Sequence, residues 1–188
     1  MTATSIEQQQ EHNMNDNDNQ QQQQQQQRGI RILLVDDNFV NLQVLSRVLR
    51  MHMANIIQHI ELAKSGIQAL ELLCHHAYDL VLLDIDMPVL SGLDTARQIR
   101  TSSDILAENR VIPIVAVTTN DTADWKRLFV QCGMNGFISK PVVPTSLKKT
   151  LIQVLNTGHS PESLAPFVPL PPSPPLPPSA AQATPSVL

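Results

Sequence analysis

Between residues 29 and 158 the chain alternates short runs rich in Val and Ile with longer stretches whose apolar residues recur at helical spacing. No other feature constrains the fold as much. Short runs that are apolar throughout suit strands covered on both faces, and the amphipathic stretches between them are what covers such strands. The pattern predicts strands over 32–35, 56–62, 80–83, 112–117 and 136–139. It predicts helices over 39–51, 65–73, 91–101, 122–134 and 145–155, the last followed by Gly158 as a stop. On the first helix Val40, Val44, Leu45, Val48 and Leu49 share a face, and on the second Ile67, Leu70 and Leu73 do. The fold expected is an α/β doubly wound, parallel five-stranded sheet, and no internal repeat is visible.

The flanks have a different composition. Residues 1–28 contain eleven Gln, eight of them unbroken from Gln20 to Gln27, and too few apolar side chains to offset the entropy of ordering them. Residues 159–188 contain ten Pro, which favours an extended linker or docking tail. The expected organisation is a disordered tail over 1–28, one folded domain over 29–158 and a second disordered tail over 159–188. The net charge of −4 leaves the central segment with twelve basic and twelve acidic residues. Without a basic face, nucleic acid and anionic membranes are both excluded as expected partners. No apolar run approaches the roughly 20 residues that span a bilayer. Cys74 and Cys132 cannot form a disulfide framework or a four-ligand zinc site, and the N-terminus is Gln-rich where a secretory segment would be apolar. A cytoplasmic or nuclear location with reduced thiols is expected.

In a doubly wound sheet ligands bind beyond the carboxyl ends of the strands, so the residues that follow each apolar run are the informative ones. The first strand is followed by Asp36 and Asp37, the third by Asp84, the fourth by Thr118 and the fifth by Lys140. Three converging carboxylates repel one another unless a hard cation lies between them, which points to Mg²⁺. A Lys and a hydroxyl beside the same point supply donors for phosphoryl oxygens, and a carboxylate accepts phosphoryl as an acyl phosphate. Taken singly, each has a plainer reading, with Asp36 and Asp37 as a turn and helix cap and Lys140 as solvated surface.

The segments Val35-Asp36-Asp37-Asn38, Leu83-Asp84-Ile85-Asp86-Met87-Pro88 running on to Gly92, Val117-Thr118 and Phe137-Ile138-Ser139-Lys140-Pro141 together resemble the receiver domain of two-component response regulators, over about 31–155. The resemblance implies the flavodoxin-like strand order 2-1-3-4-5, for which receivers are a standing example. It implies Asp84 as phosphoacceptor, Asp36 and Asp37 as the acidic pair holding Mg²⁺, and the backbone carbonyl of Asp86 as a further ligand. Lys140 would pair with the phosphoryl oxygens ahead of a cis peptide at Pro141, and Thr118 and Phe137 would form the switch. Thr119 stands where the family commonly has Ala, and Asp86 and Asn120 occupy positions tied to the rate of self-hydrolysis. The partners implied are a histidine phosphotransfer protein or a hybrid histidine kinase upstream and a protein reader downstream. The role is that of a phosphoacceptor signalling protein, not an enzyme acting on a separate substrate. The Gln-rich and Pro-rich flanks, with no output module, are most similar to fungal stand-alone stress response regulators.

Two rivals compete. A haloacid dehalogenase-type phosphatase would use Asp84 and Asp86 as a DxD pair, but it needs metal-binding carboxylates downstream of the Lys, where this chain has only Glu162. A degenerate receiver serving as a binding scaffold would lack a catalytic residue, and none is lacking. A phosphate-cradling glycine loop is missing from the sequence, which sets aside a nucleotide-dependent kinase. His75 and His76 read as a solvated pair, Cys74 and Cys132 as packing residues, and Trp125 with Phe129 as an i, i+4 pair against the core.

Overall fold

Five strands and five helices alternate along residues 29–156, the part of the chain described by the structure, a computed structural model. Both predicted tails, and residues 157 and 158 of the predicted domain, lie outside the described residues. The elements are β1 (Ile30–Val35), α1 (Phe39–Met53), β2 (Ile57–Ala63), α2 (Gly66–His75), β3 (Leu80–Asp84), α3 (Gly92–Thr101), β4 (Ile114–Thr118), α4 (Ala123–Gln131), β5 (Gly136–Ser139) and α5 (Pro144–Asn156). All neighbouring strands pair in parallel, in the order β2-β1-β3-β4-β5. This is the doubly wound sheet that the alternation predicts.

Alternate residues of each strand feed opposite cores. Leu33, Val35, Val81, Leu83 and Ile114 face the side covered by α2, α3 and α4. Ile32, Leu34, Leu80, Leu82 and Val115 face α1 and α5. β3 and β4 are buried along their whole length, so both faces of the central strands are removed from water.

Local chemistry sets where the helices begin. Asn38, Ser65, Ser91 and Thr122 each turn a side-chain oxygen onto a backbone N–H of the first turn, at the start of α1, α2, α3 and α4. Proline opens α5, where its missing N–H costs nothing.

The burial of two helices corrects the sequence reading. On α1 the core takes Leu42, Leu49 and Met53, with Leu45 and Val48 packed beside them, while Val40 and Val44 are exposed. On α2 Leu73 is buried and Leu70 packs on the core, but Ile67 is exposed. Most boundaries move by one or two residues, and two shortened ends have a plain local cause. β4 begins at Ile114 and not at 112, because Pro113 has no N–H to give to a ladder. α4 ends at Gln131 and not at 134, because Gly133 adopts φ +81°, a left-handed conformation that stops a helix.

Candidate metal centre at the strand ends

The acidic residues are delivered to one point by the ends of β1 and β3. Asp36 directly follows β1 and still holds the ladder through its N–H to the Ala63 carbonyl at 3.2 Å. Asp84 is the last residue of β3, and both carboxylates are buried whereas Asp37 is exposed. Ligand oxygens of Asp36, Asp37 and Asp84 lie within 4.8 Å of one another, and among the described residues this is the group whose side chains could hold a metal ion.

Lys140 closes the cluster from the far side of the sheet. Its N–H donates to the Thr118 carbonyl at 2.7 Å, so the residue is anchored to the end of β4. Its Nζ lies 3.0 Å from Asp36 Oδ2 and 3.0 Å from Asp84 Oδ1. The Lys140–Pro141 peptide is cis, as the resemblance implies.

Burial pushes the Asp84 carboxyl above its ordinary value, and the nearby Asp36 charge adds to the rise. The Lys140 ammonium and an N–H from Asp86 oppose that rise without cancelling it. Burial alone would lower the pKa of Lys140, but the Asp84 and Asp36 carboxylates outweigh it and raise the pKa. Lys140 is therefore charged at neutral pH. One ammonium against three carboxylates leaves the cluster short of positive charge by two, the charge of a divalent cation. Hard oxygen donors, one of them exposed, suit Mg²⁺.

Asp36 has little spare capacity, a feature that the sequence did not reveal. Its Oδ1 accepts the Asn38 N–H at 2.9 Å, and Asn41 Nδ2 donates to both of its oxygens at 3.1 Å. Asn41 thus positions a candidate ligand, and the signal was the second Asn three residues after the cap in Asp-Asp-Asn-x-x-Asn. Gly92, which closes the second of the resembling segments, has a steric role that the sequence did not reveal. A Cβ there would lie 2.1 Å from the Asp84 carbonyl oxygen, so only glycine lets the start of α3 close over the phosphoacceptor candidate.

Thr118 is fully buried on β4, one register step beyond the partner of Asp84, and its Oγ1 accepts the Asn120 N–H at 2.9 Å. Phe137 is half-buried on β5, with its ring centroid 6.4 Å from that of Phe129 and the Lys126 ammonium 4.6 Å from its centre. Neither residue belongs to the acidic cluster. Asp86 turns its side chain to solvent. His75 and His76 are exposed at the end of α2, Cys132 is buried, Cys74 packs on the core, and Trp125 lies beside buried Phe129 at 5.9 Å.

The family model of the response regulator receiver domain matches residues 32–152. The chain belongs to that family. As a receiver domain it is 32% identical over 124 residues to hybrid signal transduction histidine kinase E of Dictyostelium discoideum, covering 64% of this chain and 7% of that protein. It is 32% identical over 122 residues to the signal transduction histidine-protein kinase BarA of Shigella flexneri, covering 65% of this chain and 12% of that one. The chain therefore spans a small part of these curated relatives. Among solved structures it is similar to a chemotaxis protein of Vibrio cholerae, at 28% identity and a TM-score of 0.59, with 67% of this chain and 98% of that one covered. It is also similar to the receiver domain of a sensor histidine kinase from Pseudomonas aeruginosa, at 32% identity and a TM-score of 0.57, covering 68% and 98% of the two chains. That neighbour holds a magnesium ion coordinated in its active-site cleft. The receiver family displaces the dehalogenase-type phosphatase reading, since the acidic pair that completes the cluster lies upstream of Asp84, at Asp36 and Asp37.

Proposed function

We propose that this receiver domain, with 29–158 as its folded unit, accepts a phosphoryl group on Asp84 from a phosphohistidine donor in a histidine-to-aspartate phosphorelay. The observation that carries this reading is the Lys140 ammonium held 3.0 Å from both Asp36 and Asp84 with Asp37 in the same cluster. An Asp84 carboxylate oxygen attacks the phosphorus in line, forming a P–O bond as the P–N bond breaks. The electron pair of that bond returns to the imidazole nitrogen, which keeps the donor neutral after proton exchange.

Asp36, Asp37 and Asp84, with the Asp86 backbone carbonyl, would hold Mg²⁺, which when bound neutralises phosphoryl charge and aligns the transfer. Asn41 and the Asn38 N–H keep Asp36 oriented for that task. Lys140 exchanges its contact with Asp84 for the incoming oxygens. Thr118 spends a lone pair on Asn120 and retains its O–H for a phosphoryl oxygen, and Phe137 repacks with it. The bias needed is a few kcal/mol between two packings.

Exposed apolar side chains rim the site and suit a docking donor. Phe39 and Val40 open α1, Val143 precedes α5, and Val89 is 95% exposed. Val89 has φ 68°, in a tight turn in which Leu90 N–H donates to the Pro88 carbonyl at 2.8 Å. A β-branched residue in that conformation stores about 1–3 kcal/mol, and its side chain is held in water in the loop that joins β3 to α3. A histidine phosphotransfer protein or hybrid histidine kinase is the donor of this reading, and a separate protein is the reader. The domain catalyses its own phosphorylation and slow dephosphorylation. No helix among the described residues is long and apolar enough to cross a membrane. A cytoplasmic or nuclear place in stress signalling is the finer reading, supported by the likeness of the Gln-rich and Pro-rich flanks to fungal stress regulators.

The test is incubation with Mg²⁺ and acetyl phosphate, followed by intact mass. One added phosphoryl, removed by hydroxylamine and missing in Asp84→Asn, is the expected result. Labelling that survives in Asp84→Asn overturns the assignment.

A further inference from the structure

A groove of about 630 Å³ runs the length of β5, between α4 and α5, from Met134 at the foot of the sheet to Pro141 and Val143 at its top. Its apolar lining includes the half-buried Phe137 ring, backed by buried Phe129, with Val130 and Val154, and Lys126 and Lys149 stand at its sides. Val130 is 72% exposed, a large apolar surface left to water on an otherwise polar helix face. None of these residues belongs to the acidic cluster.

One wall of the groove is α5, which supplies Thr150, Gln153 and Val154 and ends at Asn156, beside the foot of β5. The chain thus leaves the described domain at the mouth of the groove. The segment that follows has the composition to fill it. Residues 161–172 read PESLAPFVPLPP, apolar and proline-rich, and residues 157–188 hold one carboxylate side chain, Glu162, and no Lys or Arg. Proline-rich chains dock against aromatic-lined grooves at low entropic cost, because their extended conformation is already set.

The lengths agree. Thirteen residues of helix make α5 about 20 Å long. At about 3.1 Å per residue, six or seven extended residues run that length, which is the span from Phe167 to Pro172. The ten residues between Asn156 and Phe167 reach at most about 36 Å, enough to turn back around the helix end. On that course Glu162 passes Lys149, two turns inside α5. A covalent tether supplies an effective concentration in the millimolar range, so a weak contact suffices to keep the groove filled.

We propose that the groove between α4, β5 and α5 is the docking site of the chain's own segment 161–172, with Phe167 and its prolines on Phe137 and Val130 and Glu162 beside Lys149. Docking covers Phe137, so under the phosphorelay reading the segment competes with any reader of that residue. The docking itself needs no phosphoryl group.

Hydrogen exchange on the full chain, with no phosphodonor present, tests this. The parent is compared with the full-chain variant Phe167→Asp/Leu170→Asp at two protein concentrations. Amides over 129–143 are expected to exchange about fivefold faster in the variant at both concentrations. Lys149→Glu should lose the same protection, and adding Glu162→Lys to it should restore the protection. Equal exchange in parent and variant overturns the proposal. So does protection that falls on dilution, which would assign the groove to a second copy, or a charge exchange that restores nothing. Failure to label Asp84 would leave the exchange result standing, so the two readings fail separately.

Discussion

The two ends of the sheet both gather polar side chains, but they finish them differently. At the amino ends of β3, β4 and β5 the buried Asn and Arg side chains find their partners within the protein, and the Tyr78 hydroxyl is the buried side-chain group left over among the described residues. Buried Asn109 accepts the Tyr78 N–H at 3.0 Å and donates to the carbonyls of Leu73 and His76 at 2.8 and 2.7 Å. Arg100 donates to Gly133, Arg110 and Asn135, and Asn135 also accepts the Ile114 N–H. Burial lowers the Arg100 pKa to about 10, which still leaves it charged at neutral pH. At the carboxyl ends one ammonium bridges two of three clustered carboxylates, and the third, Asp37, faces solvent. A closed polar cluster holds loops in place. An open one, short of positive charge, binds something from outside.

The sharpest way to break this comparison is to exchange the expected effects of the two ends. Asn109→Ala orphans the buried Tyr78 N–H and takes a donor from the Leu73 and His76 carbonyls, so it should cost about 3 kcal/mol in chemical denaturation while leaving the Mg²⁺ response intact. Next in size is the metal itself. At a hundredfold excess over its dissociation constant, Mg²⁺ should stabilise the parent by about 2.7 kcal/mol, and Asp37→Ala should lose most of that shift in a thermal melt. An Asp37→Ala protein stabilised as well as the parent would remove Asp37 from the ligand set.

Lys140→Met tests the charge argument directly. The folded pKa of Asp84 lies above its ordinary value of 3.8, so the stability that its protonated form favours is full below that value and is lost as pH rises through the folded pKa. Lys140 opposes that rise. Removing it should push the Asp84 pKa further up and carry the loss of stability to higher pH, as read from the carboxyl carbon shift and from melts across pH. A downward movement would mean that Lys140 does not hold Asp84.

Smaller effects are expected from single hydroxyls. Thr118→Ala forfeits one hydrogen bond to Asn120, about 1 kcal/mol, and should still be labelled on Asp84 while losing the response of 123–156 to a phosphoryl mimic in hydrogen exchange. Tyr78→Phe should change stability least, or raise it. Its hydroxyl is buried with no hydrogen-bond partner, while Arg31 lies over the ring, 5.5 Å from its centre, and would keep that contact. A clear loss in Tyr78→Phe would show that the closed end depends on that hydroxyl.

Much was legible from the sequence because the signals are local. Short apolar runs and helical spacing place strands and helices wherever they occur in a chain, and the polar residue after each apolar run marks the end of a strand without reference to any neighbour. Asp36, Asp37, Asp84, Thr118 and Lys140 could therefore be picked out one by one. Their meeting was not local. The 3.0 Å contacts of Lys140 with residues 104 and 56 positions earlier exist because the strand order places β3 between β1 and β4.

The burial of α1 shows where one-dimensional information ends. Val40, Val44 and Val48 form one stripe at helical spacing, and Leu42, Leu45, Leu49 and Met53 form another. Both are apolar, so periodicity supports either. The sheet decided between them, because the rotation of the helix on Ile32, Leu34 and Leu82 buries the second stripe and leaves Val40 and Val44 in water. α4 likewise keeps apolar residues as far as Met134, but the chain must turn at Gly133 to bring Asn135 under Ile114, and the helix stops there. The sequence alone determined which residues can be inside and which chemistry waits at each strand end. Only packing in three dimensions decided which face turns inward and which carboxylates share a lysine, since those depend on contacts between residues far apart in the chain.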